Sequence, residues 1–424
     1  MSQNRPVVVL VDAYTSGKYL PPEFTALGAD LVHVQSTPEF MPSMPAPELG
    51  GYTATLVHTD LEKTLLRLAE FAPVAVLAGQ EPGVVLADLL SERLGLPTNG
   101  TALSAARRDK YLMGEALRTA GLHRAEQTKG RDLDALVAWA RDLADFPVVV
   151  KPLNSAAGDG VFICADEGEV RRAAQEILGT RTIYGDTNAE VLIQSYLHGT
   201  EYVVDMVSYG RRRYVCGVWE YQKRLLPTGR NIYDRERLLA PDEGPAPELI
   251  AYVERALDAL GVHFGPTHAE VIVTPTGPAL VEVGTRIAGN MHPGFHTLCA
   301  GGNQANLTAL AYLAPAQFVR GYAGRSYDKL REAVCCTTST TLSGVVDSVD
   351  EQAVGEIAEL ETVVRLDLKT EPGGVLRPTV DLYSSTMRIF MAGTSMDAID
   401  RDCARIEDIK DRVYRLRDTS AGEQ

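Results

Sequence analysis

Three groups of residues in this 424-residue chain have types and spacing suited to handling phosphate. Lys151 ends the apolar run Phe146-Pro147-Val148-Val149-Val150 and is followed by Ser155-Ala156-Ala157-Gly158-Asp159-Gly160. An ammonium leaving a buried strand beside such a loop can set its charge, and several backbone N–H groups, around phosphate oxygens. Gly158 and Gly160 can supply the positive-φ turns and close approach that a phosphate cradle needs. A hairpin turn carrying a solvated lysine fits the same residues. The loop is not a P-loop, because no GxxxxGKS or GxxxxGKT occurs. Nor is it a dinucleotide fingerprint, because the GxGxxG spacing fails and an apolar strand, Val161–Cys164, follows instead of a helix.

The second group is a pair of carboxylates. Ala269–Val273 and Ala279–Val283 read as strands joined by Thr274-Pro275-Thr276-Gly277-Pro278. Folded as a hairpin, they put Glu270 and Glu282 on one face, and two such carboxylates beside phosphate suit hard, octahedral magnesium. Two solvent-facing strand carboxylates are the alternative, although Val281 and Val283 make Glu282 a poor surface residue. The third group is Arg286, four residues beyond Glu282 in the small-residue loop Gly284–Asn290. Its planar fork of donors fits carboxylate or phosphate oxygens, or an ordinary ion pair. His268 shares the face of Glu270 by strand alternation, where it could border the site, although a packed structural histidine is the stronger reading. His292 and His296 follow the arginine loop and are candidate pocket residues.

The elements that position these groups divide the chain into four. Residues 1–104 alternate strand and helix (strands Val7–Asp12, Leu31–Gln35 and Val74–Ala78; helices Leu61–Phe71 and Val84–Leu94), which predicts a parallel sheet covered on both faces. Helical spacing also begins near Phe24–Leu27. Residues 105–189 carry helices at Lys110–Ala120, Leu133–Leu143 and Glu169–Leu178 around the lysine strand. Residues 190–325 hold strands Val191–Ile193 and Tyr202–Ser208, a basic span Tyr221–Arg237 read as a long loop, the carboxylate strands, and helices Leu249–Leu260 and Asn303–Leu313. Residues 326–424 read as α+β, with strands Thr337–Val346, Val363–Leu368 and Thr386–Met391 and a helix from the N-cap Ser395 through Val413. A net charge of −15 argues against a general nucleic-acid or anionic-membrane partner, both of which need a basic face. No run approaches the roughly 18 apolar residues of a membrane helix. Six cysteines without a CxxC pair read as buried thiols, and the cytoplasm is the natural compartment.

Taken together, the order and spacing of these motifs over roughly residues 1–325 resemble the ATP-grasp superfamily. The resemblance implies an α/β fold: an N-terminal parallel-sheet domain (1–104), a subdomain with the phosphate-covering loop (105–189), a core with hinge, metal and substrate residues (190–325), and an α+β C-terminal part (326–424). It implies that Lys110, in Arg108-Asp109-Lys110, and Lys151 bind ATP phosphates, with Ser155, Gly158 and Gly160 in the covering loop. Gln194, Tyr196 and Leu197 would form the adenine hinge and Glu201 would take the ribose hydroxyls. Glu270 and Glu282 would hold magnesium, and Arg286 would bind the substrate and its acyl phosphate, Arg286 and Lys151 being the catalytic pair. Two departures stand out: Gln194-Ser195 replaces a common Glu-Glu hinge, and Gly284 stands where many members have Asn.

The Glu-x-x-x-Arg-x-x-Gly form looks closest to the L-amino-acid ligases, which make dipeptides. The implied reaction activates a carboxylate with ATP and Mg2+ as an acyl phosphate, then joins it to an amine, releasing ADP and phosphate. Its partners would be small-molecule carboxylates and amines, amino acids first among them, with a homodimer left open. A closing lid is expected, from Ser155–Gly160 or from Tyr221–Arg237 with Lys223, Arg224 and Arg230. The rival readings are another ATP-grasp activity, of purine-synthesis or bicarbonate-activating type, and an inactive nucleotide-binding module. Both lysines, both glutamates and the arginine count against the last.

Overall fold

The computed structural model describes residues 5–155, 158–225, 231–380 and 384–417. Two compact units emerge, and neither is one continuous segment. The first comprises Met1–Val218, Pro241–Pro293 and Gly302–Tyr327, and the second Trp219–Ala240, Gly294–Gly301 and Asp328–Gln424.

Unit 1 begins with a parallel sheet in the order Ala54–Val57, Asp30–Gln35, Val7–Val11, Ala75–Ala78. The central strand is nearly all valine because helices cover both its faces. Val8 and Leu10 pack on one side with Leu20 and Phe24, while Val9 and Val11 pack on the other with Leu68 and Leu90. The first helix runs Leu20–Ala26, earlier than the apolar spacing suggested, because Pro21 and Pro22 occupy its first turn, where a missing N–H costs nothing. The edge strand Ala54–Val57 had no clear sequence signal, being short and half-exposed.

The lysine strand, Val148–Pro152, lies in an antiparallel sheet ordered Gln127–Gly130, Val191–Ser195, Val148–Pro152, Phe162–Cys164. Helices Leu133–Leu143 and Glu167–Ile177 cover it through Leu136, Val137, Val170 and Ala174. The carboxylate hairpin is longer than its apolar cores: Phe264–Thr274 pairs with Gly277–Gly284 and, on its other edge, with Thr200–Tyr209.

Unit 2 corrects the reading of Tyr221–Arg237 as a loop. The strand Arg212–Leu225 enters this unit at Trp219 and pairs antiparallel with Asn231–Leu238, from Trp219 opposite Leu238 to Leu225 opposite Asn231. Asn231–Leu238 then pairs with Glu332–Thr337, which pairs with Met387–Gly393, which pairs with Val363–Leu368. Helices Glu351–Ala358 and Met396–Ile409 cover this sheet through Ile357, Ile399 and Ile406. Ser395 caps the latter, accepting the Ala398 N–H at 3.4 Å. All six cysteines are buried and unbridged. Among the described residues no helix is long and apolar enough to cross a membrane.

Candidate active site

The charged groups singled out in the sequence converge within unit 1. Asp109 caps the helix Lys110–Thr119 by accepting the Leu112 N–H at 2.9 Å, which fixes Lys110 at the helix start. From there the Lys110 Nζ lies 2.5 Å from Glu282 Oε2 and donates to the Ser155 carbonyl at 2.7 Å. A single ammonium thus ties the carboxylate hairpin to the start of the glycine loop. Glu270 and Glu282 stand opposite each other in register, as the hairpin reading required, with a bulge directly after Glu270.

Lys151 is buried on the central lysine strand, opposite Leu192. Burial, and then the neighbouring Lys110 ammonium, push its pKa down to about 8, against the pull of Glu282, Glu270 and Glu201. Glu282 behaves in the opposite sense. Burial raises its pKa, but Lys110, Lys151 and Arg286 outweigh that and leave it below the ordinary carboxylate value. Glu201, also buried, pairs in register with Ile272 of the same hairpin. The result is alternating charge in a poorly solvated space, where each ion is held by its neighbours.

Arg286 donates from Nε to Glu81 Oε2 at 3.0 Å and from Nη1 to the Ile287 carbonyl at 3.2 Å. The other oxygen of Glu81 accepts from Arg108 Nη1 at 2.8 Å, and Arg108 lies over the ring of Tyr184, 4.9 Å from its centroid. Glu81, Arg108 and Tyr184 were not among the sequence candidates. A signal existed for Glu81, which lies just past the C-terminal end of the strand Ala75–Ala78, where parallel sheets present residues to ligands. With Lys110, Ser155, Glu282 and Arg286 these three line one cleft.

Comparison with known proteins places this arrangement. Residues 108–231 match the family model described as phosphoribosylglycinamide synthetase, ATP-grasp (A) domain. Over 420 residues, 97% of this chain and 98% of the other, the sequence is 33% identical to dapdiamide A synthase of Enterobacter agglomerans. The chain belongs to the ATP-grasp carboxylate–amine ligases. It is an ATP-dependent, ADP-forming enzyme that makes an amide or dipeptide bond. Its fold is that of the L-amino acid ligase from Bacillus licheniformis, with a TM-score of 0.75 at 18% identity over 98% of this chain and 100% of that one. Phosphoribosylglycinamide synthetase from Anaerococcus prevotii superposes with a TM-score of 0.65 at 15% identity, covering 97% and 100% of the two chains.

The ligase's two departures have local physical settings. A Cβ on Gly284 would lie 2.9 Å from Glu81 Oε2 and 3.1 Å from Arg286 Cζ, so the glycine leaves room for that ion pair. At the hinge, Gln194 donates from Nε2 to Gln127 Oε1 at 3.1 Å, and Ser195 Oγ accepts the Glu126 N–H at 3.0 Å. These side chains are committed to the adjoining strand. Tyr196 stands edge-on to His198, with ring centroids 4.8 Å apart, and Leu197 follows in the same turn. In the glycine loop, Gly158 and Gly160 have φ of 80° and 67°, and Ser155 Oγ donates to Asp159 Oδ2 at 2.6 Å. Ala156 and Ala157 lie outside the described residues.

His268 is more than packing. Its Nδ1 is 2.8 Å from Asp205 Oδ1, and its Nε2 is 3.6 Å from Glu270 Oε1. Burial depresses its pKa, but Asp205 and Glu270 raise it to about 9. His292 stands edge-on to Tyr19, 5.9 Å between centroids. His296 belongs to unit 2, packed on Trp219 with ring centroids 5.1 Å apart. Arg224 also belongs to unit 2, engaged with Asp234 at 2.9 Å and Glu407 at 3.2 Å. Lys223 is exposed on the same strand, and Arg230 lies outside the described residues.

Proposed function

We propose that this ligase activates the carboxylate of one amino acid, or of a comparably small acid, and joins it to the amino group of another. The observation that carries the reading is the single cluster of Lys110, Lys151, Glu270, Glu282 and Arg286, in a chain that matches dapdiamide A synthase from end to end. In this reading Lys110 and Lys151 offset phosphate charge, Glu201 takes the ribose, and backbone groups at Gln194–Leu197 meet adenine. Little covalent protein chemistry is needed, since phosphoryl transfer to a carboxylate rests on positioning and charge neutralisation. Arg286 then holds the acyl group and the oxygen that gains charge as the amine attacks.

The donor set fits magnesium. Glu282 is held ionised and faces Glu270 in register, so two hard oxygen donors sit beside the lysines that would meet phosphate. Glu270 and Glu282 would hold the ion, whose chemistry when bound is to offset phosphate charge. His268 would keep Glu270 oriented for that role. Buried, unbridged cysteines suit a reducing compartment such as the cytoplasm.

The test is ADP release with ATP and Mg2+ against pairs of amino acids, with the amide product identified by mass. ADP and amide should appear together, and hydroxylamine should trap the acyl phosphate as a hydroxamate. If ADP appears only with bicarbonate or a phosphoribosylamine, the amino-acid reading is wrong.

A further inference from the structure

Tyr184, which lines the cleft with Lys110 and Ser155, stands on a tight hairpin. Thr180 and Asn188 are bonded through backbone, Asn188 N donating to Thr180 O at 2.9 Å, and Thr182 N donates to Asp186 O at 2.8 Å. Gly185, at φ 87°, turns the tip back. The hairpin joins the helix Glu167–Ile177 to the strand Val191–Ser195. Its tip touches Ser43 and Arg108. Ser43 Oγ donates to the Ile183 carbonyl at 2.6 Å, and the Arg108 guanidinium lies over the Tyr184 ring, 4.9 Å from its centroid. From Arg108 the contacts continue through Glu81 to Arg286.

We propose that Tyr184 is a positioning residue that closes the acyl side of the cleft. It anchors the Arg108–Glu81–Arg286 relay and keeps water from the acyl phosphate until the amine attacks. The proposal rests on the acyl-phosphate reading of Arg286. When the closure loosens, a water oxygen attacks the acyl carbon, the bond from that carbon to the phosphate oxygen breaks, and phosphate leaves. The substrate carboxylate is regenerated, so ATP is consumed with no amide formed. Arg108–Glu81 and Glu81–Arg286 are ion pairs, the Tyr184 ring packs against the first of them, and an excluded solvent is what a reactive intermediate requires.

The measurement is amide formed per ADP released, with the KM for ATP and the melting temperature read on the same variants. Tyr184→Leu removes the ring under Arg108 and keeps an apolar side chain. It should keep the KM for ATP within about twofold while amide per ADP falls roughly two- to tenfold, the worth of one cation–π contact. Ser43→Ala loosens the hairpin tip from outside the cleft and should uncouple in the same direction by less. Added hydroxylamine should recover, as hydroxamate, the acyl groups lost to water. A hairpin that serves stability alone would lower the melting temperature and leave amide and ADP in equal amounts in both variants, and that result overturns the proposal. A wild-type enzyme that couples fully but yields no hydroxamate overturns the acyl-phosphate reading, and the proposal with it. If instead wild type yields hydroxamate and both variants stay coupled, only the role of Tyr184 fails.

Discussion

Lys151 is the residue whose environment makes the sharpest demand on solution behaviour. Its pKa of about 8 lies below the ordinary lysine value, because burial and Lys110 disfavour the charged form. The proton is therefore lost at lower pH than from a free lysine, and the free enzyme loses the charge proposed to meet phosphate as pH rises through 8. The profile of kcat/KM for ATP reports groups of the free enzyme. It should fall on the basic side with a midpoint near 8, and Lys151→Arg should move that limb upward by keeping the charge. Arg286 should divide the two half-reactions. Arg286→Ala should keep ATP affinity roughly intact while amide formation drops on the order of 10²–10³, the usual loss for one oxyanion donor. Gly284 makes a related prediction. An asparagine there, the residue of many relatives by resemblance, would push apart Glu81 and Arg286. Those are side-chain ends, so the fold should survive. Amide formation should fall by at least about tenfold, as for a lost charge-assisted hydrogen bond, with ATP binding unaffected. Parallel ADP and amide assays on Gly284→Asn and Arg286→Ala check both.

At the scale of elements, the parts that could be read from sequence were those whose side chains obey one rule at a time. Leu133–Leu143 and Val363–Leu368 stand where periodicity put them, and Asp109 and Ser395 cap their helices as their types suggest. The carboxylate hairpin was legible because Glu270 and Glu282 interrupt otherwise apolar strands. The hairpin that replaced the expected basic loop was not, because Arg224 and Arg235 are satisfied by acids distant in sequence, Glu407 and Asp400. Thr337–Val346 misled in the other direction. Its β-branched threonines look like one strand, yet one strand ends at Thr337 and another, in a separate sheet, begins at Gly344. Between these points Thr338 bonds to Thr386 by its hydroxyl, at 2.7 Å, and Thr340 N bonds to Thr379 Oγ1 at 2.9 Å. The relay of Glu81, Arg108 and Tyr184 escaped for the same reason, since its members are about 75 residues or more apart at two of its links. One element carries its own prediction. Asp109→Ala removes the cap that sets Lys110, which should cost about 1 kcal/mol in chemical denaturation and weaken ATP binding as well. A normal KM for ATP in that variant would separate the cap from the site.

The whole molecule is organised by pairings that cross long stretches of sequence. Composition and spacing suggested four consecutive parts, but compact unit 2 gathers Trp219–Ala240 and Gly294–Gly301 with the C-terminal hundred residues. Its sheet depends on the segment from the middle of the chain: Arg235, Glu236 and Arg237 pair with Cys336, Cys335 and Val334. A chain ending at Tyr327 would keep unit 1 in full yet strip Asn231–Leu238 of that partner. The exposed ladder edge would carry unpaired backbone donors and acceptors, which recruit other chains. Residues 1–327 expressed alone should therefore aggregate or unfold without a cooperative transition, despite holding every residue assigned here to ATP, metal and acyl group. Residues 328–424 alone lack the Asn231–Leu238 strand and should likewise show no sharp melting transition by circular dichroism. A soluble 1–327 fragment that melts cooperatively and releases ADP would show that unit 1 stands by itself, and that the interleaving of segments is a matter of assembly alone.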